Sequence, residues 1–147
     1  AMGVDGEIWV TGFVSGDLGV IRDGAYSVVT QVGSALNPVD TAEDGTVYVG
    51  RMVSGSDLYR LVPGDGSATP VASGLDLVNA FAVDADGTVL APVAGTRIVR
   101  IDPTTGTVTE VVDGLAANGE DGNADVEAAV RIKVANLCAK FPLYPTL

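Results

Sequence analysis

The chain has 147 residues, 47% of them hydrophobic, few aromatics, 19 glycines and seven prolines; it is long enough for one domain with its own core and too apolar to be disordered. Nineteen acids against eight bases leave a net charge of −11, which repels nucleic acid and anionic membrane, so neither is expected as a partner. Histidine is absent and Cys138 is alone, which removes internal disulfides, Cys-based zinc sites and every mechanism built on a histidine base.

The opening Ala1-Met2-Gly3-Val4 lacks the basic and apolar regions of a signal peptide. No apolar run approaches the roughly 18 residues of a membrane span. From Asp5 onward the chain repeats itself. Asp5-Gly6-Glu7-Ile8-Trp9-Val10 returns as Asp44-Gly45-Thr46-Val47-Tyr48-Val49 and as Asp86-Gly87-Thr88-Val89-Leu90-Ala91, at spacings of 39 and 42 residues. Each copy is an Asp-Gly turn feeding a strand of β-branched and aromatic residues.

Second strands come next, at 17–21, 57–61 and 95–101, closed by turns at Asp23-Gly24, Pro63-Gly64-Asp65-Gly66 and Asp102-Pro103-Thr104-Thr105-Gly106. Proline and glycine supply turn dihedrals that β-branched residues resist. Third strands are expected at 27–32, 69–72 and 107–112. Leu36-Asn37-Pro38 then aligns with Val78-Asn79-Ala80, each Asn lying seven residues before the next Asp-Gly. These Asn-led segments, 37–43 and 79–85, predict one more strand, giving four antiparallel strands on a period near 40, the signature of a propeller blade. In 46–49 both faces of the strand are mostly apolar or β-branched, as blades stacked on both sides require. The Trp9, Tyr48 and Leu90 position therefore reads as packing between blades.

The organisation expected is three blades within 1–127 (about 4–36, 37–78 and 79–118, then a connector) and an atypical tail at 128–147. The residues before Asp5 are too few for an Asn-led strand, so the first blade lacks one. Residues 128–147 contain no acid and no glycine but hold both lysines and the only cysteine. Val130, Ile132 and Val134 alternate with charged or polar residues, so 130–137 is a candidate closing strand.

The run 79–90, followed by Arg97-Ile98-Val99-Arg100-Ile101-Asp102-Pro103-Thr104-Thr105-Gly106, resembles the blade consensus of the NHL-repeat, SMP-30/gluconolactonase and strictosidine-synthase-like six-bladed β-propellers. The Gly-rich and Asp-rich loop 119–130 is also similar to the connector of bacterial NHL repeats. The resemblance implies an all-β propeller of which the chain encodes about half. Three blades alone would leave sheet faces and edges bare, so a homodimer closing six blades is expected.

In SMP-30-like lactonases a divalent metal lies at the channel mouth, held by Glu, Asn and Asp. By that resemblance Asn37, Asn79 and Asn118 are the candidate ligands, for calcium or magnesium; the same residues also suit a backbone-bonding turn. The family's N-terminal Glu motif is unmatched, and its catalytic Asp has no counterpart. Asp121-Gly122-Asn123-Ala124-Asp125 starts like an EF-hand loop and then departs from it at Val126 and Ile132. The first functional reading is a non-catalytic binding or scaffold protein taking a small molecule or peptide at the central channel. The second is a metal-dependent hydrolase or lactonase acting there.

Overall fold

Eleven short strands form three antiparallel sheets in chain order, as expected for blades. The computed structural model describes residues 1–76, 78–115 and 124–140, the last segment with its side chains over 127–135. The chain divides into two units, Ala1–Asp113 and Gly114–Leu147.

Sheet 1 contains β1 (Ile8–Thr11), β2 (Asp17–Arg22) and β3 (Ala25–Gln31). Sheet 2 contains β4 (Leu36–Thr41), β5 (Val47–Arg51), β6 (Ser56–Leu61) and β7 (Thr69–Leu75). Sheet 3 contains β8 (Ala82–Val83), β9 (Val89–Val93), β10 (Arg97–Ile101) and β11 (Val108–Val112). The Asn-led strand expected at 79–85 is thus much shorter than its counterpart β4. Sheet 1 lacks a full first strand, but Ala1 and Met2 begin one: Met2 bridges Ile8, and Ala1 and Trp9 exchange backbone hydrogen bonds of 3.0 and 2.8 Å.

The Asp-Gly turns explain why the repeat is so visible. Thr46 N–H donates to Asp44 Oδ1 and Thr88 N–H to Asp86 Oδ1, both at 2.9 Å, while Gly45 and Gly87 take φ of 84° and 81°, where only glycine is at ease. The first copy has Glu7 where the others have threonine. Its carboxylate accepts from Asp5 N–H and from Trp9 Nε1, so the same turn is held by a different group.

Packing obeys the period-2 alternation of β5. Val47 and Val49 face sheet 1 and cluster with Leu36, Leu61, Trp9, Leu18 and Val20. Tyr48 faces the other way and clusters with Leu58, Ala72, Val89, Ala91, Val99 and Ile101. Trp9 and Tyr48 are both buried between sheets. Gly50 is small for a reason: a Cβ there would come within 3.0 Å of Pro38 and 3.2 Å of Val78. In sheet 2 burial is greatest in β5 and falls through β6 to β7, and β3 and β11 are mostly exposed.

The tail corrects the sequence reading. The segment expected to contain a closing strand at 130–137 is instead helix α1 (Ala124–Lys140). The alternation of Val130, Ile132 and Val134 is real but short. It sits within 17 residues free of Gly and Pro, where Ala128, Ala129, Arg131, Lys133 and Ala135 are strong helix formers. Glu127, in the first turn, also suits the helix dipole. Among the described residues no helix is long and apolar enough to cross a membrane.

Leu58 is fully buried between sheets 2 and 3. Leu58→Ala should cost about 2–5 kcal/mol, read in urea as a lower midpoint with an unchanged slope. A loss within the range of an exposed-site substitution would mean that the two sheets are not packed as described.

Candidate functional site at the inner strand edge

The sheets approach one another most closely at β4, which touches both β1 and β8. Polar side chains bridge the neighbours there. Thr11 Oγ1 donates to the Asn37 carbonyl at 2.9 Å, and Thr41 Oγ1 to the Met2 carbonyl at 2.8 Å. Asp40 Oδ2 accepts from Val83 N–H at 3.0 Å while its Oδ1 accepts from Thr41 N–H at 2.9 Å. These bonds tie sheet 2 to the first strands of both neighbours.

Two of the three sequence candidates meet on this edge. Asn37 Nδ2 donates to Asn79 Oδ1 in a short hydrogen bond and lies 3.4 Å from the Asn79 carbonyl and 3.8 Å from Met52 Sδ. Asn37 is half-buried and Asn79 exposed. Asn118 and residues 121–123, which open the partial EF-hand pattern, lie outside the described residues, and the pattern's remaining residues belong to α1.

Ca²⁺ and Mg²⁺ take six or more oxygens and favour carboxylates. Asn37 and Asn79 supply two neutral amide oxygens, one already accepting a hydrogen bond. Among the described residues no group of three or more His, Cys, Asp or Glu side chains is placed to hold a metal. A cation here would therefore need further oxygens from beyond these two residues.

Asp40 escaped the sequence reading. It lies 42 residues before Ala82, so the next copy has no equivalent acid, and only the fold shows it bonding the neighbouring strand. Asp76 was missed for a similar reason. It holds the 52–55 turn by accepting from Ser54 Oγ at 2.7 Å and Gly55 N–H at 2.8 Å. The Ser54 bond first, then the Gly55 bond, draws its carboxyl below the ordinary range.

At the Asp-Gly end, a cleft of ≈590 Å³ opens between sheets 2 and 3, lined by Asp44, Tyr48, Arg60, Asp86 and Pro103 among others. Arg60 Nη1 reaches the Pro103 carbonyl at 3.4 Å. Its buried Nε has no hydrogen-bond partner among the described residues. Burial pushes the Tyr48 hydroxyl up from its usual pKa, so it stays protonated at neutral pH. Backbone N–H bonds from Thr46 and Thr88 hold Asp44 and Asp86 below the usual carboxylate range.

No family model matches the chain. Solved structures do. Virginiamycin B lyase from Staphylococcus aureus superposes with a TM-score of 0.66 at 19% identity, over 83% of this chain and 42% of that one. A putative gluconolactonase gives 0.62 at 17%, over 80% and 49%. An auxiliary nutrient binding protein from Bacteroides thetaiotaomicron gives 0.60 at 16%, over 83% and 33%. The fold is that of β-propeller blades. At these identities the likeness shows the fold alone, and the chain spans less than half the length of each protein.

A separate likeness is confined to 37 residues, which are 70% identical to serine hydroxymethyltransferase of Paracoccus denitrificans. A 40-residue stretch is 68% identical to the same enzyme of Ruegeria pomeroyi. These stretches cover about a quarter of this chain and 9% of each enzyme.

The depressed Asp44 and Asp86 carboxyls stabilise the fold above the unfolded-state carboxylate pKa, and that contribution is lost as pH falls through their folded values. Asp44→Asn/Asp86→Asn keeps the acceptor for each threonine N–H and removes the titration. Thermal melts should show the wild type losing stability more steeply than this variant below the ordinary carboxylate range, with similar slopes near neutrality. Parallel curves throughout would refute the assignment.

Proposed function

We propose that this chain is a propeller-type binding or scaffold protein whose ligand site is the inner strand edge around Asn37 and Asn79. The observation carrying this reading is the amide pair itself. Two neutral side chains from adjacent blades are held together, with the Asn79 amide left exposed. Amides offer both donors and acceptors without charge, which suits an uncharged polar small molecule or a peptide backbone. Propellers place such groups on a rigid ring, and fold alone assigns no chemistry. One of the superposed propellers is described as a nutrient binding protein, in keeping with this use of the fold.

A metal-dependent hydrolase is the second reading. It is favoured by the meeting of two of the three candidate ligands on one edge and by the likeness to a putative gluconolactonase. It requires the additional oxygens described above.

The two readings separate on one variant. With neutral monosaccharides and short peptides as probes, the side-chain amide resonances of Asn37 and Asn79 should shift, and Asn79→Ala should abolish the response while unfolding at the same temperature. Calcium and magnesium should leave the melting temperature unchanged. A metal-dependent rise in melting temperature, together with turnover of a generic lactone, would overturn the binding reading in favour of the second.

The C-terminal unit belongs to a separate part of this proposal. We infer that the serine hydroxymethyltransferase-like stretch falls there: unit Gly114–Leu147 has about the matching length, and the acid-free composition at 128–147 sets it apart from the repeats. A match to 9% of an enzyme carries none of its activity. Among the described residues both hydrophobic clusters lie within Ala1–Asp113, so a chain truncated after Asp113 should keep the β-type circular dichroism and the melting temperature of the full chain. Loss of cooperative unfolding would show that the blades need the tail.

A further inference from the structure

Among the described residues, blade 2 (sheet 2) alone is packed on both faces, against sheets 1 and 3. The outward face of blade 1 carries Ile8, Tyr26 and Val28, which are 46%, 54% and 51% exposed; Ile8 pairs with Ile21, and Tyr26 lies so close over Gly19 that a Cβ there would collide with its ring. The outward face of blade 3 carries Leu90, Pro92, Ile98 and Arg100, on the same side because Leu90 pairs with Arg100 and Pro92 with Ile98. We propose that a second copy of this chain covers both, the outward face of blade 3 in one protomer packing on the outward face of blade 1 in its partner, and the reverse contact completing a two-fold ring. This deepens the binding reading, because a ligand edge built from successive inner strands is extended by closure.

The register of the repeat identifies the polar contact in that interface. In blade 2, Arg60 stands opposite Tyr48 and reaches the carbonyl of Pro103, two residues beyond Ile101 in the next blade. Arg100 stands opposite Leu90 in the same way, and it is exposed. The residue two beyond Ile21, the blade 1 counterpart of Ile101, is Asp23. Packing blade 3 on the partner's blade 1 as blade 2 packs on blade 3 therefore sets Arg100 against the partner's Asp23. Where the internal contact offers only a carbonyl, this one adds a carboxylate of opposite sign on an exposed turn, which favours this pairing of end faces over others.

Sedimentation equilibrium of the full chain, without any ligand, tests this independently of the binding reading. The expected mass is twice 14.9 kDa. Arg100→Glu should weaken the dimer by about tenfold or more, because it opposes two acids at each of two equivalent contacts. Asp23→Asn should weaken the wild-type dimer, since it removes the attraction; asparagine tolerates the positive φ of 51° at this position. In the Arg100→Glu background the same Asp23→Asn change should instead strengthen dimerisation. That reversal of sign is what a merely structural effect of either substitution would not give, and unchanged circular dichroism of the monomeric variants checks their fold. A monomer at every concentration overturns the proposal, as does a dimer in which Asp23→Asn acts with the same sign in both backgrounds. Failure to bind sugars or peptides by a protein that still dimerises this way would sink the binding reading and leave this one standing.

Discussion

A sheet stacked between two others has no solvent face, and that constraint shapes the first unit. In most antiparallel sheets one face is polar and register is set by which face is buried. Blade 2 lacks that option. β5 sends Val47 and Val49 to one neighbour and Tyr48 to the other, so its two faces differ in side-chain size more than in polarity. Glycine at position 50 lets Pro38 and Val78 close in on the face that Tyr48 occupies. The alternation of small and large residues fixes which way each face turns.

Polar groups have a different task. They sit where sheets converge or where the chain turns, and most bond to backbone. Asp40, Thr11 and Thr41 join strands of neighbouring blades. Asp44, Asp86, Asp102 and Asp76 each hold a turn by accepting N–H groups. Much of the acidity that dominates the composition thus serves turn geometry, a local use that makes no demand for a cationic partner. Charge pairing between side chains contributes little by comparison: among the described residues the Arg97–Glu110 contact is long, at 4.0 Å, and exposed.

The same division governs how much could be read from the sequence. The Asp-Gly turns could be read because their geometry is local and needs glycine. Asn37 and Asn79 could be paired because a repeat sets equivalent residues on adjacent strands. Asp40 could not, since it acts on the next blade's backbone and its counterpart there is Ala82. The short β8 was overestimated because alignment with β4 carried over a length that residues 79–81 do not adopt. The tail misled for a further reason. Val130, Ile132 and Val134 fit a two-residue period, yet Val126, Val130, Val134 and Leu137 also recur at helical spacing, and over so short a run only the length of unbroken helix-forming sequence decides.

The arginines of the second strands show how one repeat position responds to its surroundings. Blade 1 has Val20 where the others have arginine, and places Arg22 over the Trp9 ring at 5.9 Å instead, so its contact with blade 2 needs no cation within it. Blade 2 places Arg60 between sheets, bound to a carbonyl at its tip and, among the described residues, unpartnered at Nε. That placement costs desolvation for one modest bond. It is tolerable because the rest of the interface is apolar and the aliphatic stem of the arginine packs with it. Blade 3 keeps the arginine but exposes it. A cation retained at an internal packing position, beside the half-buried Leu90 and Ile98, is the residue that the proposed contact with a second copy would use.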